Sequence, residues 1–223
     1  MSLLQEPFSL LDLCFIGNFF FFFFETEIIS FLNIVFSTNN VAAAKWMEAP
    51  DSQQLLDSIR PDFLLLRTLA RGLILWDDVM PTRDWVESNV PPNIRRYSLR
   101  NPGDPDSQSQ QVDYETMNQA FYNIMAGSCF VLGLKFAGSA NADAFNTLYR
   151  YSKVLISLSG RSVAEWAGKA TLEACLNTLV LSLSMVMAGT GDLQVLRLCR
   201  HLRLRSGTFT NVVTYGSHVS FFN

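Results

Sequence analysis

A chain of 223 residues with a formal net charge of −3 holds one or two ordinary domains or several units of a repeat array. It is 49% hydrophobic and only 17% charged, and the mild acidity predicts no nucleic-acid partner, since such proteins carry a basic domain or stripe. Four scattered cysteines (Cys14, Cys129, Cys175 and Cys199) and two histidines (His201 and His218) leave no zinc motif at ligand spacing, so no metal or other cofactor is expected.

Residues 1–37 stand apart. Ten of the eighteen Phe residues lie in the first 40 positions, six of them consecutive from Phe19 to Phe24. A membrane span needs about 20 apolar residues. Here Asp12 and Asn18 interrupt the run upstream, and Glu25, Thr26 and Glu27 end it. A signal peptide needs a basic start, and no Lys or Arg precedes Lys45. Phe codons are TTT or TTC, so the Phe run is a pyrimidine tract of the kind that precedes intron acceptor sites. Phe36-Ser37 can be encoded with an acceptor-like CAG, and Val219-Ser220 as the donor-like GTAAGT. The expectation is that 1–37 and 219–223 are translated intron sequence, or a tail, around a coding core of 38–218. Continuous transcript reads through the Phe tract would overturn it.

The core predicts helices joined by short turns. Asp51 with Gln54 three residues later resembles a capping box, opening a short helix over 51–60. Pro61 suits a first helical turn, and Asp62–Trp76 is apolar nearly all round, the pattern of a helix buried between neighbours. Thr82–Ser88 adds one or two turns of helix. Residues 38–90 thus form a helical segment joining repeats. Residues 91–112 hold four of the eight prolines and almost no large apolar residue, which predicts a mobile polar loop. Helices resume over Tyr114–Phe136, Ala142–Leu158, Lys169–Met187 and Asp192–Leu204. The expected apolar face of the last is Leu193, Leu196, Cys199 and Leu202. The apolar period is near 3.6 throughout, so the fold class is all-α.

Two stretches repeat. Each of Ala126–Asn141 and Leu179–Asp192 is an apolar helix dotted with small residues that ends in Ala-Gly-Ser/Thr, a polar turn and a second amphipathic helix. The Ala-Gly pairs are 51 residues apart, and Gly133 aligns with Ser184. Glycine inside a helix costs about 1 kcal/mol in propensity, so close packing of a neighbouring helix should offset Gly127 and Gly133. Gly138, Gly189 and Gly191, with Ala188, complete the residues expected to serve repeat packing; glycine at a helix end takes the left-handed conformation freely.

At AGSCFVLGLKFAGSANADAFN and LSLSMVMAGTGDLQVLRLCRHL the chain resembles proteasome/cyclosome (PC) repeats. These helical hairpins belong to the large scaffold subunits of the proteasome regulatory particle and of the anaphase-promoting complex. The resemblance to the cyclosome branch is longer, because it includes the non-repeat stretch RPDFLLLRTLARGLILWDDVMPTRDWVESNVP. It covers about 38–218 and implies a partial α-solenoid or toroid, with PC hairpins over 113–218. It also implies a non-catalytic fragment of a ubiquitin-ligase scaffold acting in mitosis and cell division. Its partners would be other subunits of that complex and neighbouring repeats, in nucleus and cytoplasm. The alternatives are a proteasome scaffold of the same repeat family, which 60–91 argues against, and a small membrane-anchored protein held by the Phe-rich segment.

No enzyme is expected. The chain has no GxSxG and no GxxxxGK[ST], and His201 lies among Arg197, Arg200, Arg203 and Arg205 with no carboxylate to orient it. That basic helix reads as a solvated outer face.

Overall fold

The structure is a computed structural model that describes residues 38–56, 58–98, 113–158 and 167–203. All of them lie in one compact unit, Ser37–Asn223. The described residues form helices and no strands: α1 (Val41–Trp46), α2 (Gln53–Leu56), α3 (Pro61–Ile74), α4 (Arg83–Ser88), α5 (Pro92–Ser98), α6 (Tyr114–Lys135), α7 (Ala142–Leu158), α8 (Lys169–Val186) and α9 (Leu193–Arg203). The Phe-rich segment and the tail at 219–223 lie outside the described residues.

Helix α6 is the hub. Its 22 residues, about 33 Å at 1.5 Å per residue, pack against α3 on one side and α8 on another, with α2, α4, α5 and α7 completing the surround. Asp113 starts it by accepting the N–H of Glu115 at 3.0 Å and of Thr116 at 3.2 Å, which satisfies donors that no helical carbonyl can reach. From Tyr122 to Gly133 every residue is buried. A helix apolar on all faces is stable only inside such a ring of neighbours. Its buried serine and asparagine side chains donate within the helix. Ser128 donates to the Ile124 carbonyl, Asn118 to Tyr114 and Asn123 to Gln119. Thr68 in α3, Ser152 in α7 and Ser182 and Ser184 in α8 make the same four-residue back-bond. Small side chains that need no outside partner let helices approach closely without an unpaired buried group.

Helix α3 opens on Pro61 at its first position, where the missing N–H is harmless, and none of its residues is fully exposed. Helix α1 is tied to it through Arg67, whose guanidinium donates to the carbonyls of Trp46 (2.6 Å) and Glu48 (3.1 Å). Helix α7 has the expected bounds, with Leu148, Ser152 and Leu155 buried on one face.

Three expectations are corrected. Residues 92–98, expected within a mobile loop, are helix α5. Its single aliphatic residue, Ile94, is fully buried among Leu56, Leu64, Val90, Met117, Ala120 and Ile124. Composition averaged over 91–112 hid one well-placed apolar residue; the remainder, 99–112, lies outside the described residues. Asp51 does not cap its own short helix. Its carboxylate accepts the Asn93 backbone N–H at 3.0 Å and the Asn93 side-chain amide at 3.1 Å, so it caps α5 from a distance. In α9 the buried face is Val195, Leu198, Cys199 and Leu202, while Leu193 is 64% exposed, because the first residue after the cap points outward.

Candidate functional site at the inter-helix junctions

Successive inner helices meet through one repeated contact. At α3/α6, a Cβ added to Gly72 would lie 2.5 Å and 2.8 Å from the two methyls of Val131. At α6/α8, a Cβ on Gly133 would lie 2.6 Å from the Ser182 Cβ and 2.7 Å from its Cα. Val131 and Ser182 are 51 residues apart, as are Gly138 and Gly189. Thus a glycine two residues before one inner helix ends faces the residue four before the end of the next. Gly127 makes the second close approach to α3, where a Cβ would overlap the Leu65 carbonyl oxygen.

The turns that follow also repeat. Thr38-Asn39-Asn40, Ser139-Ala140-Asn141 and Thr190-Gly191-Asp192 share one geometry. The middle residue is left-handed, with φ of 49°, 51° and 65° respectively. The third caps the outer helix, accepting from the N–H three residues on: Asn40 from Ala43 (3.1 Å), Asn141 from Ala144 (2.9 Å) and Asp192 from Val195 (3.0 Å). The left-handed residue then reaches the next inner helix. The Asn39 N–H donates to the Ile74 carbonyl at 2.8 Å, and the Ala140 N–H to the Val186 carbonyl at 3.0 Å. Gly138 adds a bond to the Met185 carbonyl at 2.8 Å. Each accepting carbonyl is one of the four that a helix end leaves without an internal donor. One bond therefore satisfies a helix terminus and sets the axial register of two hairpins. A left-handed alanine costs about 1–2 kcal/mol, which this bond offsets at Ala140.

The junction from α3 to α6 uses a side chain instead. The Lys135 ammonium donates to the carbonyls of Trp76 (2.7 Å), Asp77 (3.3 Å) and Val79 (3.0 Å) in the turn after α3. It is also a cation in the last turn of α6, where the helix dipole favours it. Lys135→Met should lower stability by about 1–3 kcal/mol, the range for leaving polar partners unpaired. Urea denaturation would read this as a lower midpoint at constant slope.

Among the described residues no three His, Cys, Asp or Glu side chains come together in a metal-binding group. His201 is exposed on α9. Cys129, Cys175 and Cys199 are buried thiols. Burial pushes the Cys175 thiol up to about 12 from an ordinary value of 9.0 and raises Cys129 further. Thiolate is the reactive form, so both should resist alkylation at pH 8 in the native chain and react fully in denaturant. Stability has a matching sign. The unfolded thiols release protons near pH 9 while the folded ones keep theirs, so stability should fall as pH rises above 9.

The six residues singled out in the sequence divide into two kinds. Gly127 and Gly133 sit in helix–helix contacts. Gly138, Gly189 and Gly191 sit in turns at positive φ with open space where a Cβ would be, so backbone conformation is what favours glycine there. Ala188 is the turn residue before Gly189, its N–H on the Met185 carbonyl at 3.4 Å. Sequence reasoning missed Gly72, Lys135 and the turn caps. The caps were findable, since Ser/Thr-x-Asn/Asp recurs before every outer helix start at 41, 142 and 193.

A family model, the APC1 fifth domain, matches residues 26–222. The human protein "Anaphase-promoting complex subunit 1" is 46% identical over 187 residues, 84% of this chain and 10% of its own length. The Arabidopsis thaliana protein of the same name is 40% identical over 72% of this chain and 10% of its own length. The Emericella nidulans protein "Negative regulator of mitosis" is 34% identical over 85% of this chain. The chain spans about a tenth of the length of these relatives.

Proposed function

The chain belongs to the APC1 fifth domain family, and from that premise we propose that it is a slice of a non-catalytic helical-repeat scaffold within the anaphase-promoting complex. Its work is to hold other subunits of that ubiquitin ligase in register during the metaphase–anaphase transition and mitotic exit, in nucleus and cytoplasm, while other subunits transfer ubiquitin. Residues 113–218 supply PC-repeat hairpins of a solenoid, 38–90 the helical segment that joins repeats, and 1–37 and 219–223 stand outside the repeat pattern. Gly127, Gly133, Gly138, Ala188, Gly189 and Gly191 serve repeat packing.

The observation that carries this reading is the recurrence of one contact and one turn: Gly72 on Val131 and then Gly133 on Ser182 at the successive α3/α6 and α6/α8 junctions, and the same turn bond onto the end of α3 (Asn39 to Ile74) and onto the end of α8 (Ala140 to Val186). Elements that stack by the same contact each time form arrays, and arrays present extended surfaces rather than enclosed pockets. Among the described residues no helix is long and apolar enough to cross a membrane. The test is co-purification. The tagged chain expressed in dividing cells should recover other subunits of the complex. A folded chain that recovers none of them would overturn the proposal.

A further inference from the structure

The outward faces of two outer helices carry one sign of charge. Helices α7 and α9 both pack on α8, and the 51-residue spacing aligns them. Arg197, Arg200 and His201 of α9 thereby take the places of Asn146, Tyr149 and Arg150 of α7, and buried Val195 and Cys199 those of buried Ala144 and Leu148. Arg150, Lys153, Arg197 and Arg200 are exposed, and among the described residues none of them is in an ion pair with a carboxylate. After Asp143 neither helix contains an Asp or Glu. A solvated helix face ordinarily mixes signs, because opposite charges three or four residues apart stabilise each other. The helix dipole does not account for the cations of α7 either. Its effect is confined to the last turn, and that turn holds no basic residue. The chain as a whole is acidic, at −3, so this face runs against the average.

The α7 face is also shaped for contact. Phe145 and Tyr149 stack, with ring centroids 5.4 Å apart and planes 12° from parallel. The Lys153 ammonium lies 4.4 Å from the Tyr149 ring centroid, which holds a flexible cation in one place. An open groove of about 390 Å³ is lined by Asn146, Tyr149, Arg150, Lys153, Val154 and Ser157, and Val154 is 43% exposed there. We propose that the outward faces of α7 and α9 form one docking surface for an acidic segment of another protein chain. Its Asp and Glu carboxylates pair with Arg150, Lys153, Arg197 and Arg200, and an aliphatic side chain enters the α7 groove against Tyr149 and Val154. Charge complementarity identifies the occupant, because cations without carboxylate partners lose their water at tolerable cost only against anions. The groove favours a peptide over a nucleic acid, since a phosphate backbone offers no aliphatic side chain to Tyr149 and Val154. Holding Lys153 in place beforehand lowers the ordering cost of binding. The inference rests on the scaffold reading for the partner's being another subunit, and adds the face and the chemistry that recognise it.

Fluorescence anisotropy on the full 223-residue chain, with a labelled peptide of four Glu-Glu-Asp-Leu repeats as probe, tests it. The wild-type chain should bind, and binding should weaken as salt rises, because exposed charges are screened. Arg150→Glu with Lys153→Glu should weaken it by at least about ten-fold, as should Arg197→Glu with Arg200→Glu, since each attraction lost becomes a repulsion. Arg150→Gln with Lys153→Gln removes the charge without reversing it and should cost about three-fold, in the range of exposed pairs. Lys45→Glu with Arg96→Glu makes the same change in net charge on exposed positions of α1 and α5 and should shift binding by less than about two-fold. Absence of binding by the wild-type chain overturns the inference. An equal loss in the Lys45 and Arg96 variant also overturns it, because net charge alone would then be read. Tighter binding of an oligouridine of equal charge does the same, since the surface would then take nucleic acid. Circular dichroism reads folding in every variant, and the glutamine pair carries the test where a reversal unfolds the chain. In dividing cells, an unaltered set of co-purified subunits with both reversed pairs combined overturns the assignment of this face and leaves the scaffold reading standing. A wild-type chain that binds the peptide but recovers no subunit sinks the scaffold reading instead.

Discussion

Gly127→Ala and Gly133→Ala should each lower stability by about 1–3 kcal/mol, the range for forcing extra volume into a packed interior. The sign is the informative part. In a solvated helix the same change raises stability by about 1 kcal/mol, because alanine loses less backbone entropy. Here the obstacles are backbone or sit directly on it. The new Cβ at position 127 would overlap the Leu65 carbonyl oxygen. At position 133 it would lie 2.6 Å from the Ser182 Cβ and 2.7 Å from its Cα. No rotamer change relieves either contact, so a neighbouring helix must move away, and α6 is buried against α3 and α8 at once. Urea denaturation with its slope checked should show lower midpoints for both. Gly138→Asn is the control, because its Cβ would meet open space and asparagine tolerates φ near 67°. A rise in stability for either helix variant would sink the close-packing account.

Ile94→Ala should lower stability by about 2–4 kcal/mol, as for other buried aliphatic truncations. Ile94 has no exposed surface and sits in a cluster drawn from α2, α3, α5 and α6. Its removal leaves a cavity between four elements that cannot all close on it. The result separates two descriptions of residues 92–98. A solvated loop predicts a change within about 0.5 kcal/mol, the usual range for surface substitutions. Arg96→Ala, on the exposed side of α5, is the internal control. Equal effects of the two variants would return this segment to a loop.

Where the deciding interaction is local, the sequence was sufficient. The bounds of α7 agree with its periodicity, and those of α3, α6, α8 and α9 lie within two residues of expectation, because caps, helix-end glycines and apolar spacing act over three or four positions. The family was legible too, since an apolar helix with small residues and an Ala-Gly-Ser/Thr ending is a rare conjunction. Where a residue's partner is distant, the reading failed. Asp51 caps a helix 42 residues away rather than its own, and Lys135 reaches carbonyls 56 to 59 residues back.

The inner-helix glycines mark that boundary. That Gly127 and Gly133 need a neighbour at close range followed from their propensity cost in a helix. Which neighbour each meets did not. Six residues at 100° each separate them by about 240° around α6, so one faces α3 and the other α8. On a helix buried on every side, no apolar stripe says which way a residue without a side chain looks, and only the packing of three helices assigns it.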